Sequence, residues 1–335
     1  MASAQQVTGG WILIALYAIA ILFFVIRGAL RTKNISDYAV GNFNFSPWFV
    51  GLSLAAAMTS AATFVINPGL IAAYGISGVL SFGVFFPLAS LVSLVLLTKS
   101  FRRYGSTVKA LTLANWIGSR YNSKGYALFI GFLSVLLLTF IVLILVAITK
   151  VLSKSLNVNE IYVLLGVVIF VFGYMMFGGA NSMVYTNTIQ AMVMVIVAVV
   201  LISSGYPYLK DGLFSFFDKL AAINPVLVSS TNESSPLFRD FFEIILAQMI
   251  VGAAVVCQPH IITKSLLLKK ESDVNRYLVA AVIIQVLFYS VIVTGLYARL
   301  TFPELTANGK SLNVDGIIPA YVVQVFSQGW IAIVA

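Results

Sequence analysis

Apolar runs recur along nearly the whole chain, each about 20 residues long and therefore able as a helix to cross a hydrocarbon layer of roughly 30 Å. They fall at 9–30, 46–75, 78–98, 126–152, 160–178, 185–206, 240–263 and 277–298, and a ninth begins at 317. Lipid offers the backbone no hydrogen-bonding partner, so each run must close its own bonds as a helix. A β-barrel would show short alternating segments instead. With 60% hydrophobic and 9% charged residues, the composition excludes an ordinary soluble domain. The predicted class is an all-α polytopic membrane protein, a single transmembrane domain over 1–335 with the lipid bilayer as solvent.

The net charge of +9 is explained by topology, with no nucleic-acid partner. Taking alternate sides of the runs, most basic residues fall on one side, in clusters from Arg27 to Lys33, Lys99 to Lys124 and Lys264 to Arg276. That side is read as the cytoplasm. The first run has no basic residue before it and no small-residue cleavage pattern after it, so it reads as a retained anchor with the N-terminus outside, in a plasma membrane. The stretch 207–239 is the one sizeable external loop, with a short amphipathic helix expected at 211–220 and a glycosylation-type pattern at Asn232-Glu233-Ser234. Cys257 stands alone, so no internal disulfide forms.

Helix breakers concentrate in two runs: Asn67-Pro68-Gly69 in the second and Cys257-Gln258-Pro259-His260 in the seventh. The seventh stands five places after the second, so the two interrupted helices cross in opposite directions, as inverted repeats of five require. That pattern points to a carrier whose site lies near the bilayer midplane. Pro87 in the third run does not fit the scheme, and kinks in packed helices would place all three prolines equally well. His260, the one histidine, reads as an end-of-helix residue, and Gln190 and Gln285 as inward-facing amides that must find partners. No Walker loop, HExxH or nucleophile elbow occurs, so no catalytic residue is expected and the chain does not read as an enzyme.

Four blocks carry a family resemblance: SDYAVGNFNFSPWFVGLSLAAAMTSAATFVINPGLIAAYGISG (36–78), LTLANWIGSRYNSK (111–124), GGANSMVYTNTIQAMVM (178–194) and CQPHIITKSLL (257–267). In this order they resemble the sodium:solute symporter family, whose members carry proline, pantothenate, monocarboxylates, sugars or iodide. The resemblance implies a LeuT-type inverted-repeat bundle with one extra N-terminal helix at 9–30. The first five-helix repeat would span 46–206 and a partial second repeat 240–335, truncated in the eighth core helix. It also implies sodium as coupling ion, held by the backbone carbonyls of Ala56 and Thr59. Ser60, Ala61 and Thr63 would face the solute from the first core helix and Val255 from the sixth. Hydroxyls at Ser60 and Thr63 equally suit back-bonding to the preceding turn and close helix packing.

Departures from the family pattern limit what the resemblance carries. Asn115 and Asn187 stand where relatives often have acids, which weakens the case for sodium, and Met58 stands where several have Asp or Asn. Ala254 and Val255 replace large aromatics, which disfavours a sugar or proline stacked on a ring. The expected function is sodium-coupled uptake of a small organic solute, a carboxylate or amino acid, by alternating access. The alternatives are a transporter-like sensor of a signalling protein and a carrier coupled to protons or to nothing.

Overall fold

Eight apolar runs become eight candidate crossings in the computed structural model, which describes residues 4–30, 32–40, 45–60, 62–108, 110–268, 270–307 and 309–326. Six are helices long and apolar enough to cross a membrane: Val7–Ala29, Ile76–Gly105, Lys124–Val146, Glu160–Phe177, Gly179–Leu209 and Glu271–Thr301. Two more are bent pairs, Pro47–Met58 with Ala62–Tyr74 at 64° and Phe242–Val256 with Pro259–Leu267 at 56°. A shorter apolar helix, Val314–Val325, stands where the ninth run begins. Outward-pointing Leu128, Phe132, Ile169, Phe177 and Ile196 are exposed, as side chains facing lipid should be.

The breaks answer to local chemistry. In the seventh run the helix ends at Val256, and Cys257 and Gln258 intervene before Pro259, where the sequence places it. In the second run the break lies upstream of the expected Asn67-Pro68-Gly69. Helix Pro47–Met58 stops before Thr59, and a π-helical stretch Ala62–Ile66 leads into helix Asn67–Tyr74. Pro68 occupies the first turn of that helix, where a missing N–H leaves no bond unmade, so it starts a helix here and does not stop one.

The chain divides into two compact units. One comprises 1–53, 99–189 and 262–277. In it, helix Leu113–Tyr121 packs along helix Lys124–Leu156, which also meets Ala4–Ala29. Trp116 stacks on Phe101 with ring centroids 4.8 Å apart, and its Nε1 donates to the Phe101 carbonyl at 3.0 Å. The Arg102 guanidinium donates to the Leu268 carbonyl at 2.6 Å. Gly179, with φ 52°, is the non-helical point at which the fifth and sixth crossings meet. A side chain at that backbone angle is strained, which is why glycine serves.

The other unit comprises 54–98, 190–261 and 278–335. Its core gathers Ile71, Phe216, Leu220, Phe288, Tyr297 and Tyr321. Helix Asn67–Tyr74 packs closely on Thr294–Thr301 and on Val314–Val325. Gly295 permits the first approach, because a Cβ there would overlap the Pro68 carbonyl. Helix Leu213–Ile223 is the amphipathic element expected at 211–220, and its Phe216 and Leu220 are buried. Asn232 departs from its sequence reading as a glycosylation acceptor: it is buried, its Nδ2 donates to the Tyr74 carbonyl at 3.1 Å, and its Oδ1 accepts from Ser234. The strands Thr306–Ala307 and Lys310–Ser311 form a small antiparallel pair beyond the all-helical expectation.

Candidate functional site

The first break is built by hydroxyls that divert the backbone. Thr59 Oγ1 donates back to the Ala55 carbonyl at 2.8 Å, the Thr59 N–H reaches the Ala56 carbonyl at 3.3 Å, and the Ala62 N–H reaches Ser60 Oγ at 3.3 Å. Short polar side chains that bond their own backbone compete with the helical ladder, and here they stand in sequence where the helix gives way. The carbonyls of Ala56 and its neighbours belong to the last turn of Pro47–Met58, at the negative end of that helix dipole.

Of the six site residues expected from sequence, Ala56, Thr59 and Thr63 are buried, Ser60 and Val255 are half-buried, and Ala61 lies outside the described residues. Ala56, Thr59, Ser60 and Thr63 flank the break. Val255 rides on helix Gln248–Val256, whose principal neighbours are the π-helical stretches Val79–Phe85 and Phe242–Ala247. The stretch Ala62–Ile66 packs instead on Val291–Val293 and Val314–Val325, with Phe64 edge-on to Phe288 at 5.7 Å. Met58 and Asn187 are half-buried, and Ala254, Asn115 and His260 are exposed.

Oxygen chemistry dominates the break. Among the described residues no three His, Cys, Asp or Glu side chains converge. Backbone carbonyls and hydroxyls are hard donors, and the Ala56 carbonyl keeps a lone pair beyond the bond from Thr59, so this donor set fits a small hard cation such as sodium.

Gln285, read from sequence as an inward amide without a role, joins this site. It is fully buried and its Nε2 donates to Thr59 Oγ1 at 3.3 Å. Thr59 Oγ1, which donates to the Ala55 carbonyl, accepts from this amide. Its Oε1 is left buried without a hydrogen-bond partner, a loss worth about 1–3 kcal/mol. Tyr289, one turn further on, interacts with the same amide, and its hydroxyl lies 3.2 Å from Ser90 Oγ. A lone Gln in the apolar run 277–298 was the signal for this cluster; the i+4 spacing to Tyr289 was a further one.

The family model described as "Sodium:solute symporter family" matches residues 38–335. The chain belongs to this family. Among curated members of the family, the sodium/pantothenate symporter of Haemophilus influenzae (strain ATCC 51907 / DSM 11121 / KW20 / Rd) is 27% identical over 93% of this chain and 64% of its own length. The sodium/pantothenate symporter of Escherichia coli (strain K12) is 25% identical over 86% of this chain and 60% of its own. The sodium/proline symporter of Staphylococcus aureus is 25% identical over 80% of this chain and 52% of its own. The chain thus spans between about half and two thirds of the length of these relatives. A solved structure of a Na+-coupled sialic acid symporter, in a substrate-bound outward-open state, superposes with a TM-score of 0.76 at 16% identity, covering 97% of this chain and 68% of that one. That likeness shows the fold, a LeuT-type bundle of membrane helices.

Proposed function

We propose that the protein takes up a small organic carboxylate or amino acid, coupled to the inward movement of sodium, by alternating access in a plasma membrane with its N-terminus outside. The observation that carries this reading is the break at Thr59. There a helix end, with the backbone carbonyls of Ala56 and Thr59 as ion ligands, adjoins the hydroxyls of Ser60 and Thr63 as solute-facing groups. A positive ion is favoured by the carbonyl end of a helix, and the hydroxyls orient a polar solute beside it. Ala61 and Val255 complete the solute-facing set in this reading. Sodium entering down its gradient also gains about 2.3 kcal/mol per 100 mV of membrane potential. Ion and solute act together because both stabilise the same closed conformer.

Two of the curated relatives are named for pantothenate, a carboxylate bearing hydroxyls and an amide, and that chemistry suits a site with small hydroxyl side chains and no stacking ring at Ala254 or Val255. Proteoliposomes holding the protein under an inward sodium gradient, offered labelled pantothenate or proline, test the proposal. Uptake that disappears when choline replaces sodium supports it. Uptake that persists unchanged under choline and responds to a pH gradient would overturn the coupling.

A further inference from the structure

We infer that the protein binds an anionic phospholipid where helix Leu113–Tyr121 turns into helix Lys124–Leu156, with Arg120 and Lys124 holding the headgroup and an acyl chain lying in the apolar hollow beside them. The inference goes beyond the transport reading and takes from it only the orientation that puts this turn at the cytoplasmic leaflet. Asn122, left-handed at φ 48°, ends the first helix, and Ser123 caps the second by accepting from the Tyr126 N–H at 3.2 Å. Arg120 thus stands in the last turn of one helix and Lys124 opens the next. Gly118 lets the two helices close up, since a Cβ there would come within 2.8 Å of the Ala127 Cβ. Both basic residues are exposed.

The turn concentrates positive charge. Residues 99–124 carry Lys99, Arg102, Arg103, Lys109, Arg120 and Lys124, and no Asp or Glu occurs anywhere between Asp37 and Glu160. Of the acids elsewhere in this unit, Glu271 acts on Arg102, and the ion pairs among the described residues, Lys219 with Asp211 and Arg239 with Glu243, belong to the other unit. The Arg120 guanidinium lies over the Tyr104 ring, 5.4 Å from its centroid, a contact that holds the charge without neutralising it. Beyond the N–H that Ser123 takes, the first turn of helix Lys124–Leu156 adds the positive end of a helix dipole. A phosphate suits this combination.

The hollow makes the ligand a lipid and not a free anion. It measures about 720 Å³, begins at Gly125, next to Lys124, and is lined further down the helix by Leu128, Phe129, Gly131, Phe132 and Val135. No neighbouring atom stands within 4 Å of where a Gly131 side chain would begin. Tyr121 and Tyr126 flank the turn, exposed and with ring centroids 5.7 Å apart, as amphipathic rings do at the boundary between water and lipid. A charged end joined to an apolar trough matches an acidic phospholipid, and basic pockets on the cytoplasmic side of membrane helices take such headgroups.

The test reads lipid retention and not transport, so its failure leaves sodium-driven uptake untouched. Purified protein in detergent is titrated with phosphatidylglycerol and with phosphatidylcholine of the same acyl chains, and bound lipid is counted by native mass spectrometry. The wild type should hold the anionic lipid on the order of tenfold more tightly, because two basic groups meet its headgroup. Arg120→Gln together with Lys124→Gln should bring that preference below about threefold. Lys210→Gln together with Lys310→Gln, which removes two exposed cations elsewhere, should leave it unchanged. Gly131→Trp fills the hollow without altering charge and should weaken phosphatidylglycerol binding by at least about fivefold. Equal retention of the two lipids, a preference that survives the paired change at Arg120 and Lys124, retention unmoved by Gly131→Trp, or displacement of the lipid by millimolar inorganic phosphate overturns the inference. Should the paired variant fail to fold, a structure of the wild type in phosphatidylglycerol nanodiscs decides: a lipid with its phosphate at Arg120 and Lys124 supports the site, and a protein helix filling the hollow, or no lipid there, sinks it.

Discussion

Lys264 Nζ donates to both the carbonyl and the hydroxyl oxygen of Ser53, at 3.0 and 2.7 Å, across 211 positions of sequence. Lys264 is 2% exposed and Ser53 is fully buried. The ion pairs among the described residues, Lys219 with Asp211 and Arg239 with Glu243, lie elsewhere, and the Lys264 amine bonds neutral oxygens. It ties the helix that leads into the first break, Pro47–Met58, to the 3-10 turn Thr263–Leu267 beyond the second.

A buried polar group costs most when it loses one partner and least when it is removed together with its desolvation penalty. Ser53→Ala takes one bond from the buried amine and should lower stability by about 1–3 kcal/mol. Lys264→Met removes the amine at similar volume and should unfold within a few degrees of wild type. Thermal unfolding in detergent checks the order of the two, and a much larger loss in Lys264→Met than in Ser53→Ala would contradict it.

Gly295 carries a second prediction. Its missing side chain lets helix Thr294–Thr301 rest on the Pro68 carbonyl, and backbone cannot yield as a flexible side chain can. Gly295→Ala should therefore cost about 1–3 kcal/mol by overpacking. Gly131, with open space around its Cβ position, is the control, since Gly131→Ala meets no neighbour. Equal thermal stability of the two variants would count against the close approach.

The crossings were legible in the sequence because lipid forces every apolar run into a helix, whatever its tertiary neighbours. The second break was legible as well, since it falls within the Cys257-Gln258-Pro259-His260 stretch, with Pro259 opening the helix beyond it. The first was misplaced by the same reasoning: Pro68 falls in an opening turn, while Thr59 and Ser60, with no such obvious mark, turn their hydroxyls onto the backbone eight residues earlier. Inwardness of Gln285 could be read from an amide in an apolar run. Its partner Thr59, 226 positions away, could not, because that pairing exists only once helices have packed.

Asn232 supplies a third prediction, at the outer loop. Its amide donates to the Tyr74 carbonyl and accepts from Ser234, and the side chain is 4% exposed. Expressed in a glycosylating host, the folded protein should show no glycosidase-sensitive mass shift at this position. Asn232→Ala should lose about 1–2 kcal/mol, since the Tyr74 carbonyl is left with one partner fewer. A glycan on Asn232 in correctly folded protein would refute its burial.

Backbone and side chain at Thr59 can be separated by two substitutions. Thr59→Val keeps the shape and the carbonyl geometry but deletes the hydroxyl, so the Gln285 amide loses its acceptor while a sodium ion bound to the carbonyls of residues 56 and 59 keeps its ligands. Half-saturation by sodium should then move by less than about threefold, because the charge-bearing contacts persist. Thr59→Pro removes the N–H that closes the turn onto Ala56 and disfavours a helical angle at the residue before it. Sodium half-saturation should rise by at least about tenfold, read from uptake against external sodium at fixed solute, with folded protein confirmed by its elution as a single species. If the two variants exchange these outcomes, the hydroxyl of Thr59 binds the ion and the carbonyls do not.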